Sequence, residues 1–119
     1  MATAPRPQRG EIWTVRFDPS VGAEMRKLRP AVDVNLDSIG RLPLRMVVPL
    51  TDWQPTFAAL PWFVPIAATV ATGLSKESGA DAFQVKSVSE NRFVQRIDNI
   101  NNDQLDEIAA AIALCVGAP

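Results

Sequence analysis

The chemistry open to this chain is set first by what it lacks. It has no histidine and no tyrosine, and Cys115 is its one cysteine. That removes the usual general acid–base residue, the histidine-containing triads and the histidine metal sites together. A lone cysteine leaves no internal disulfide and almost excludes structural zinc. No tight cluster of carboxylates announces a magnesium site either. Any reaction must therefore run on Arg, Lys, Ser, Thr, Asp, Glu and backbone groups. The net charge of −1 does not advertise a nucleic-acid binder. The basic residues are uneven all the same: Arg26, Lys27 and Arg29 sit together, and Arg41 and Arg45 follow. A near-neutral protein can hold such residues in a local basic groove.

The elements that must position these residues are short. At 119 residues the chain has room for one compact domain, and its 47% apolar content is enough for a core. Ten prolines favour short strands and loops over a helical bundle. Residues 1–8 read as a flexible tail, and 9–119 as a single domain. Glu11–Phe17 alternates as a half-buried strand, with Trp13, Val15 and Phe17 on one face and Ile12 and Thr14 on the other. Asp18–Gly22 is turn chemistry and opens a polar loop running to about Leu28. Pro30–Leu36 is expected as a second strand and Leu44–Thr51 as a third, central one. Residues 52–80 read as a long irregular connection with one short strand from Trp62 to Ile66. Ala82–Val88 and Arg92–Ile97 complete the strands, joined by a tight connection or single helical turn at Ser89–Asn91.

The C-terminus is the clearest helix, with Leu105, Ile108, Ala109, Ile112 and Val116 on one expected apolar face. Asn101 is its N-cap and Gln104 the partner of a capping box. Ile100 and Leu105 fill the hydrophobic-staple positions, and Gly117 supplies the stop. The expectation is a mainly β protein, a small and strongly bent sheet or barrel, with this helix packed on it. No apolar run is long enough to cross a membrane, and the N-terminus lacks a signal-peptide core, so the cytoplasm is the expected location.

The residues Arg9-Gly10-Glu11-Ile12-Trp13, then Asp18-Pro19, Gly22, Glu24, Arg29-Pro30 and Val48-Pro49-Leu50-Thr51 resemble, in order and spacing, the MazF/PemK family of toxin endoribonucleases. Gln84-Val85-Lys86-Ser87 and the closing helix extend the resemblance to about residues 9–117. No single motif is specific; their common order is. The resemblance implies an SH3-like small barrel of the CcdB/PemK type, a homodimer, and cleavage of single-stranded mRNA at short sequences. It also implies a cognate antitoxin whose disordered tail occupies the RNA groove. Carried over by position, the catalytic pair is Arg29 and Thr51. The chain departs from the family at Leu36-Asp37, where many members have Asn-Asp, and at Met25, where many have glutamine.

RNA can be cut without metal because its 2′-hydroxyl can attack the adjacent phosphate. The enzyme must stabilise a dianionic phosphorane, remove one proton and deliver another. Arg29 suits the first task through paired hydrogen bonds to phosphate oxygens. A guanidinium keeps its proton in neutral water, which makes Arg29 a poor base. Glu24 is the candidate for the base or for orienting Arg29. Arg26, Lys27, Gln84 and Lys86 are the expected RNA contacts, with no cofactor and no metal. Trp53 and Trp62 are open to base stacking or to packing of the long connection. Two other readings use the same barrel: a CcdB-like toxin that binds gyrase without catalysis, and a non-catalytic SH3-like RNA-binding module.

Overall fold

The computed structural model describes residues 6–40, 42–68, 74 and 76–119. Most of the expected tail, residues 1–5, and Arg41 of the basic run lie outside the described residues. Within the described part of that tail, Pro7 is buried and Arg6 Nη2 reaches Glu90 Oε1 at 2.8 Å.

The strands are β1 (Glu11–Arg16), β2 (Leu28–Asp33), β3 (Leu44–Asp52), β4 (Phe63–Ile66), β5 (Ser78–Asp81), β6 (Lys86–Ser89) and β7 (Phe93–Asn99). They form one antiparallel sheet in the order β4-β5-β3-β2-β1-β7, with β6 on the first half of β3. The path does not close, so the SH3-like architecture takes the form of a bent, open, barrel-like sheet. Its two faces bury separate cores. One gathers Ile12, Val32, Val48, Leu50, Val64 and Ile66 under the helix; the other holds Val15, Phe17, Ala31, Val47 and Val88, flanked by Trp13, Met25 and Phe93. Burying each large side chain contributes about 1.5–3 kcal/mol. Trp13 thus joins the face of Val15 and Phe17, as the alternation predicts.

Helix α1 (Asn102–Cys115) carries the expected cap: Asn101 Oδ1 accepts from the Gln104 N–H at 2.8 Å, and Gln104 Oε1 from the Asn101 N–H at 3.2 Å. Ile100 and Leu105 meet in the core, and Gly117 closes the helix at φ 69°. The apolar face is rotated from the expectation. Leu105, Ile108 and Ala111 are buried, with Ile112 and Cys115 against them, whereas Ala109 and Val116 are exposed. The small Ala111 lets the helix sit close to the sheet, and the stripe follows that contact.

Three parts of the strand assignment differ most from the sequence reading. The second strand starts at Leu28 because Leu28 and Arg29 still pair with Arg16 and Val15, and it ends at Asp33. Beyond that point the Asn35 side chain takes the Met46 N–H, and the backbone turns at Leu36–Ile39. The irregular connection hides a strand: β5, Ser-Gly-Ala-Asp, is made of small residues with no apolar alternation to mark it. Ala82–Val88 is not one strand, because Asp81 Oδ1 accepts from the Phe83 N–H and folds Ala82–Gln84 into a 3-10 turn before β6.

Candidate active site

The ladder between β2 and β3 pairs Ala31 with Pro49, Val32 with Val48 and Asp33 with Val47. The ladder ends there; Arg29 lies two residues before Ala31 and Thr51 two residues after Pro49, so alternation puts both on the face of Ala31 and Pro49. On its other side Thr51 pairs with Gly79 of β5. Arg29 Nε is buried without a hydrogen-bond partner. Among the described residues, no hydrogen bond or ion pair engages the rest of its guanidinium or the Thr51 hydroxyl. A buried, unpartnered N–H of a charged group is costly, and an anionic oxygen is the acceptor that would remove the cost.

One strand turn further along the same face of β2, Asp33 is fully buried and committed elsewhere. Arg45 Nε donates to its Oδ2 at 2.6 Å and Nη2 to its Oδ1 at 2.7 Å. Arg45 Nη2 also reaches Asp37 Oδ1 at 2.6 Å. The hydrogen bond to Asp33 holds Arg45 above its ordinary value and outweighs its burial. Burial pushes the Asp33 carboxyl up, against the opposing pull of Arg45. Burial also works against ionised Asp37, but the Arg9 N–H and Arg45 outweigh it and hold this carboxyl below the ordinary range. The buried carboxylate of the face is therefore neutralised by Arg45, and the charge of Arg29 stays available.

The loop between β1 and β2 carries Glu24, Arg26 and Lys27, all exposed. It is folded on itself: Ser20 Oγ donates to the Met25 carbonyl at 2.6 Å, and Arg26 Nη2 to the Gly22 carbonyl at 2.6 Å. Lys27, at φ 64°, turns the chain so that its carbonyl accepts from the Phe17 N–H at 2.8 Å. Gln84 fastens the loop from outside. Its Oε1 accepts from the Met25 N–H at 2.7 Å, and its Nε2 donates to Asp81 Oδ2 at 3.1 Å. Lys86 Nζ lies 3.7 Å from Glu24 Oε2. Loop and turn enclose a cleft of about 650 Å³ lined by Phe17, Val21, Glu24, Met25, Phe83, Gln84 and Lys86 among others.

The structure thus brings Glu24, Gln84 and Lys86 together at one cleft; Arg29 and Thr51 lie on the neighbouring strands β2 and β3 and do not line it. It does not join Glu24 to Arg29: the carboxylate meets Lys86 instead, so an orienting role has no contact to act through. Trp53 packs edge-on against Phe57, which stacks on Phe63 at 3.9 Å. Trp62 packs on the helix-side core. Two features escaped the sequence reading: the Arg45–Asp33 pair and the exposed Phe83. Arg45 sat in the basic run, but nothing local marked Asp33 as its partner.

The model of the PemK-like, MazF-like toxins of type II toxin–antitoxin systems matches residues 8–116. The chain belongs to this family. Endoribonuclease MazF9 of Mycobacterium tuberculosis is 31% identical over 113 residues, covering 90% of this chain and 93% of that protein. Endoribonuclease EndoA of Bacillus subtilis is 23% identical over 107 residues, covering 90% and 91%. Among solved structures, MazF from Deinococcus radiodurans superposes with a TM-score of 0.80 at 21% identity, covering 96% of this chain and 99% of that one. A mycobacterial endoribonuclease in complex with its cognate antitoxin superposes with a TM-score of 0.71 at 16% identity, covering 95% and 97%. The MazF-like chain described here therefore has the fold that the resemblance implies.

Proposed function

We propose that this MazF-like chain is the toxin endoribonuclease of a toxin–antitoxin pair, cutting single-stranded mRNA at selected sequences around Arg29 and Thr51. The observation that carries the reading is the unpartnered buried Nε of Arg29, on the strand next to the one that carries Thr51. The relatives named endoribonucleases favour a nuclease over a gyrase-binding or non-catalytic toxin. The structures of relatives bound to cognate antitoxins support an antitoxin as the second partner.

In the proposed reaction the RNA 2′-oxygen attacks the adjacent phosphorus and the bond from phosphorus to the 5′-oxygen breaks. The products are a 2′,3′-cyclic phosphate and a 5′-hydroxyl, with no metal required. Arg29 donates to the phosphorane oxygens and supplies the leaving oxygen with its proton, and Thr51 donates to the same phosphate. Glu24 takes the 2′-hydroxyl proton. Arg26, Lys27 and Lys86 hold the flanking phosphates, and Gln84 holds the loop that carries the first two. A homodimer in the cytoplasm completes the reading, with light scattering of the free protein to test the dimer.

The decisive experiment mixes the protein with a single-stranded RNA library in excess EDTA and sequences the cut ends. Discrete cut sites ending in cyclic phosphate are expected. No cleavage, or cleavage retained by Arg29→Ala and Thr51→Ala, would overturn the proposal. A duplex control should stay uncut, because the attack needs an unstacked nucleotide.

A further inference from the structure

The wall of the cleft formed by the 3-10 turn carries a large apolar ring at its surface. Phe83 is 71% exposed although the turn is otherwise well anchored, and Val21 on the facing loop is 77% exposed. Isolated exposed apolar residues need no explanation, but this one lines a cavity of about 650 Å³. The ring is braced from behind. Trp62, itself packed on the core, lies 6.3 Å away at an interplanar angle of 52°, and the Ala82 N–H donates to the Trp62 carbonyl at 3.0 Å. Phe83 is thus a supported ring beside an open cavity, not the tip of a loose loop.

The cleft is continuous in the chain with Arg29 and Thr51. The loop wall runs from Val21 through Met25 directly into β2, where Arg29 is the second residue. The opposite wall leaves β5, whose Gly79 is the partner of Thr51. The elements that carry Arg29 and Thr51 thus lead into both walls of the cleft. Lys86 lines it within 3.7 Å of Glu24 Oε2, and the volume lies in the range of small-molecule sites. The amide of Gln84 is held in the wall by one bond to each of Met25 and Asp81.

We propose that Phe83 is a stacking platform for one nucleobase next to the cut phosphate, and that it adds affinity without selecting which base sits there. Stacking on an aromatic face tolerates any base, because every base has a π-face. The proposal rests on the nuclease reading above, and its test separates the two.

The probe is the RNA sequence cut most often, with a 2′-deoxy nucleotide at the cut so that it binds without reacting. Binding is measured for the native protein and for Phe83→Ala and Phe83→Trp, first with the intact probe and then with single abasic positions. Because Phe83 is exposed, neither variant disturbs the core. Phe83→Ala is expected to weaken binding about tenfold, and Phe83→Trp to restore it. One abasic position should cost the native protein the same factor and cost Phe83→Ala nothing further. Swapping the base at that position should leave affinity within about twofold in both. Additive losses at every abasic position, or unchanged binding by Phe83→Ala, would overturn the platform while leaving the nuclease reading intact. Failure of the native protein to cut the library at all overturns both.

Discussion

Arg45 grips Asp33 in a two-pronged pair inside the sheet, with both side chains almost wholly shielded from water. Neither residue is an element of the proposed reaction, yet the pair lies on the face that carries Arg29. Removing one partner leaves the other as a buried, uncompensated charge. Arg45→Met should therefore lower stability by about 3–5 kcal/mol. Replacing both, Arg45→Met with Asp33→Leu, should recover most of that loss. Urea unfolding of the three proteins checks this, and equal losses in the single and double variants would contradict it.

The acid limb of stability should depend on Asp37. Its folded carboxyl titrates below the ordinary range because the Arg9 N–H and Arg45 favour the charged form over the cost of burial. The stability it contributes is complete above its unfolded value, near about 3.9, and is lost as pH falls through the lower folded value. Asp37→Asn should reduce stability at neutral pH and flatten the fall in the urea midpoint between about pH 5 and pH 2. Parallel midpoint curves for the two proteins would refute the assignment.

Gly79 is a site where a single methyl group should be felt at a distance. A Cβ there would stand 3.1 Å from Phe57 Cδ2, 3.1 Å from Phe63 Cδ1 and 3.3 Å from Trp53 Cε3. Gly79→Ala must push these rings apart, at a cost of about 1–3 kcal/mol. Because Gly79 pairs with Thr51, cleavage should fall along with stability. Thermal unfolding and RNA cleavage measured side by side test the link.

Arg29→Lys keeps the positive charge and loses the planar fork. If the guanidinium binds the phosphate with two parallel hydrogen bonds, this variant should lose about a hundredfold in cleavage rate, close to the loss in Arg29→Ala. Single-turnover cleavage rates check it; a lysine variant within a few-fold of the native rate would reduce Arg29 to a source of charge.

Asn101→Ala tests a helix cap that was written entirely in local sequence. It removes the reciprocal cap with Gln104 and should cost about 1 kcal/mol without altering cleavage at saturating RNA. Urea unfolding and single-turnover cleavage test the two halves of that statement.

The legible parts share a physical character. Caps, staples and alternating strands depend on residues within a few positions of one another, so Asn101, Gln104 and the β1 alternation could be read directly. Arg29 and Thr51 were singled out only by an ordered pattern spread over the chain, and the strands that carry them belong to a sheet that had first to form. The strand at Ser78–Asp81 could not be read, because its small residues are chosen by the rings packed on Gly79. The turn at Ala82–Gln84 was hidden for a similar reason. Its alternation was strand-like, but the Asp81 carboxylate captures the Phe83 N–H, and only the fold reveals that choice.

One consequence follows from how β3 changes partners along a single edge. It pairs with β6 through Val47 and with β5 from Leu50, so residues 81–85 of the chain span only positions 48 and 49 of β3. Three residues (five minus two) are surplus to the ladder and must arch away from it, carrying Phe83 and Gln84 with them. That surplus is a length of chain the sheet does not need. Substitutions in it can remodel the mouth of the cleft while every rung beneath stays in register, so relatives can diverge in what they grip without relearning how to fold.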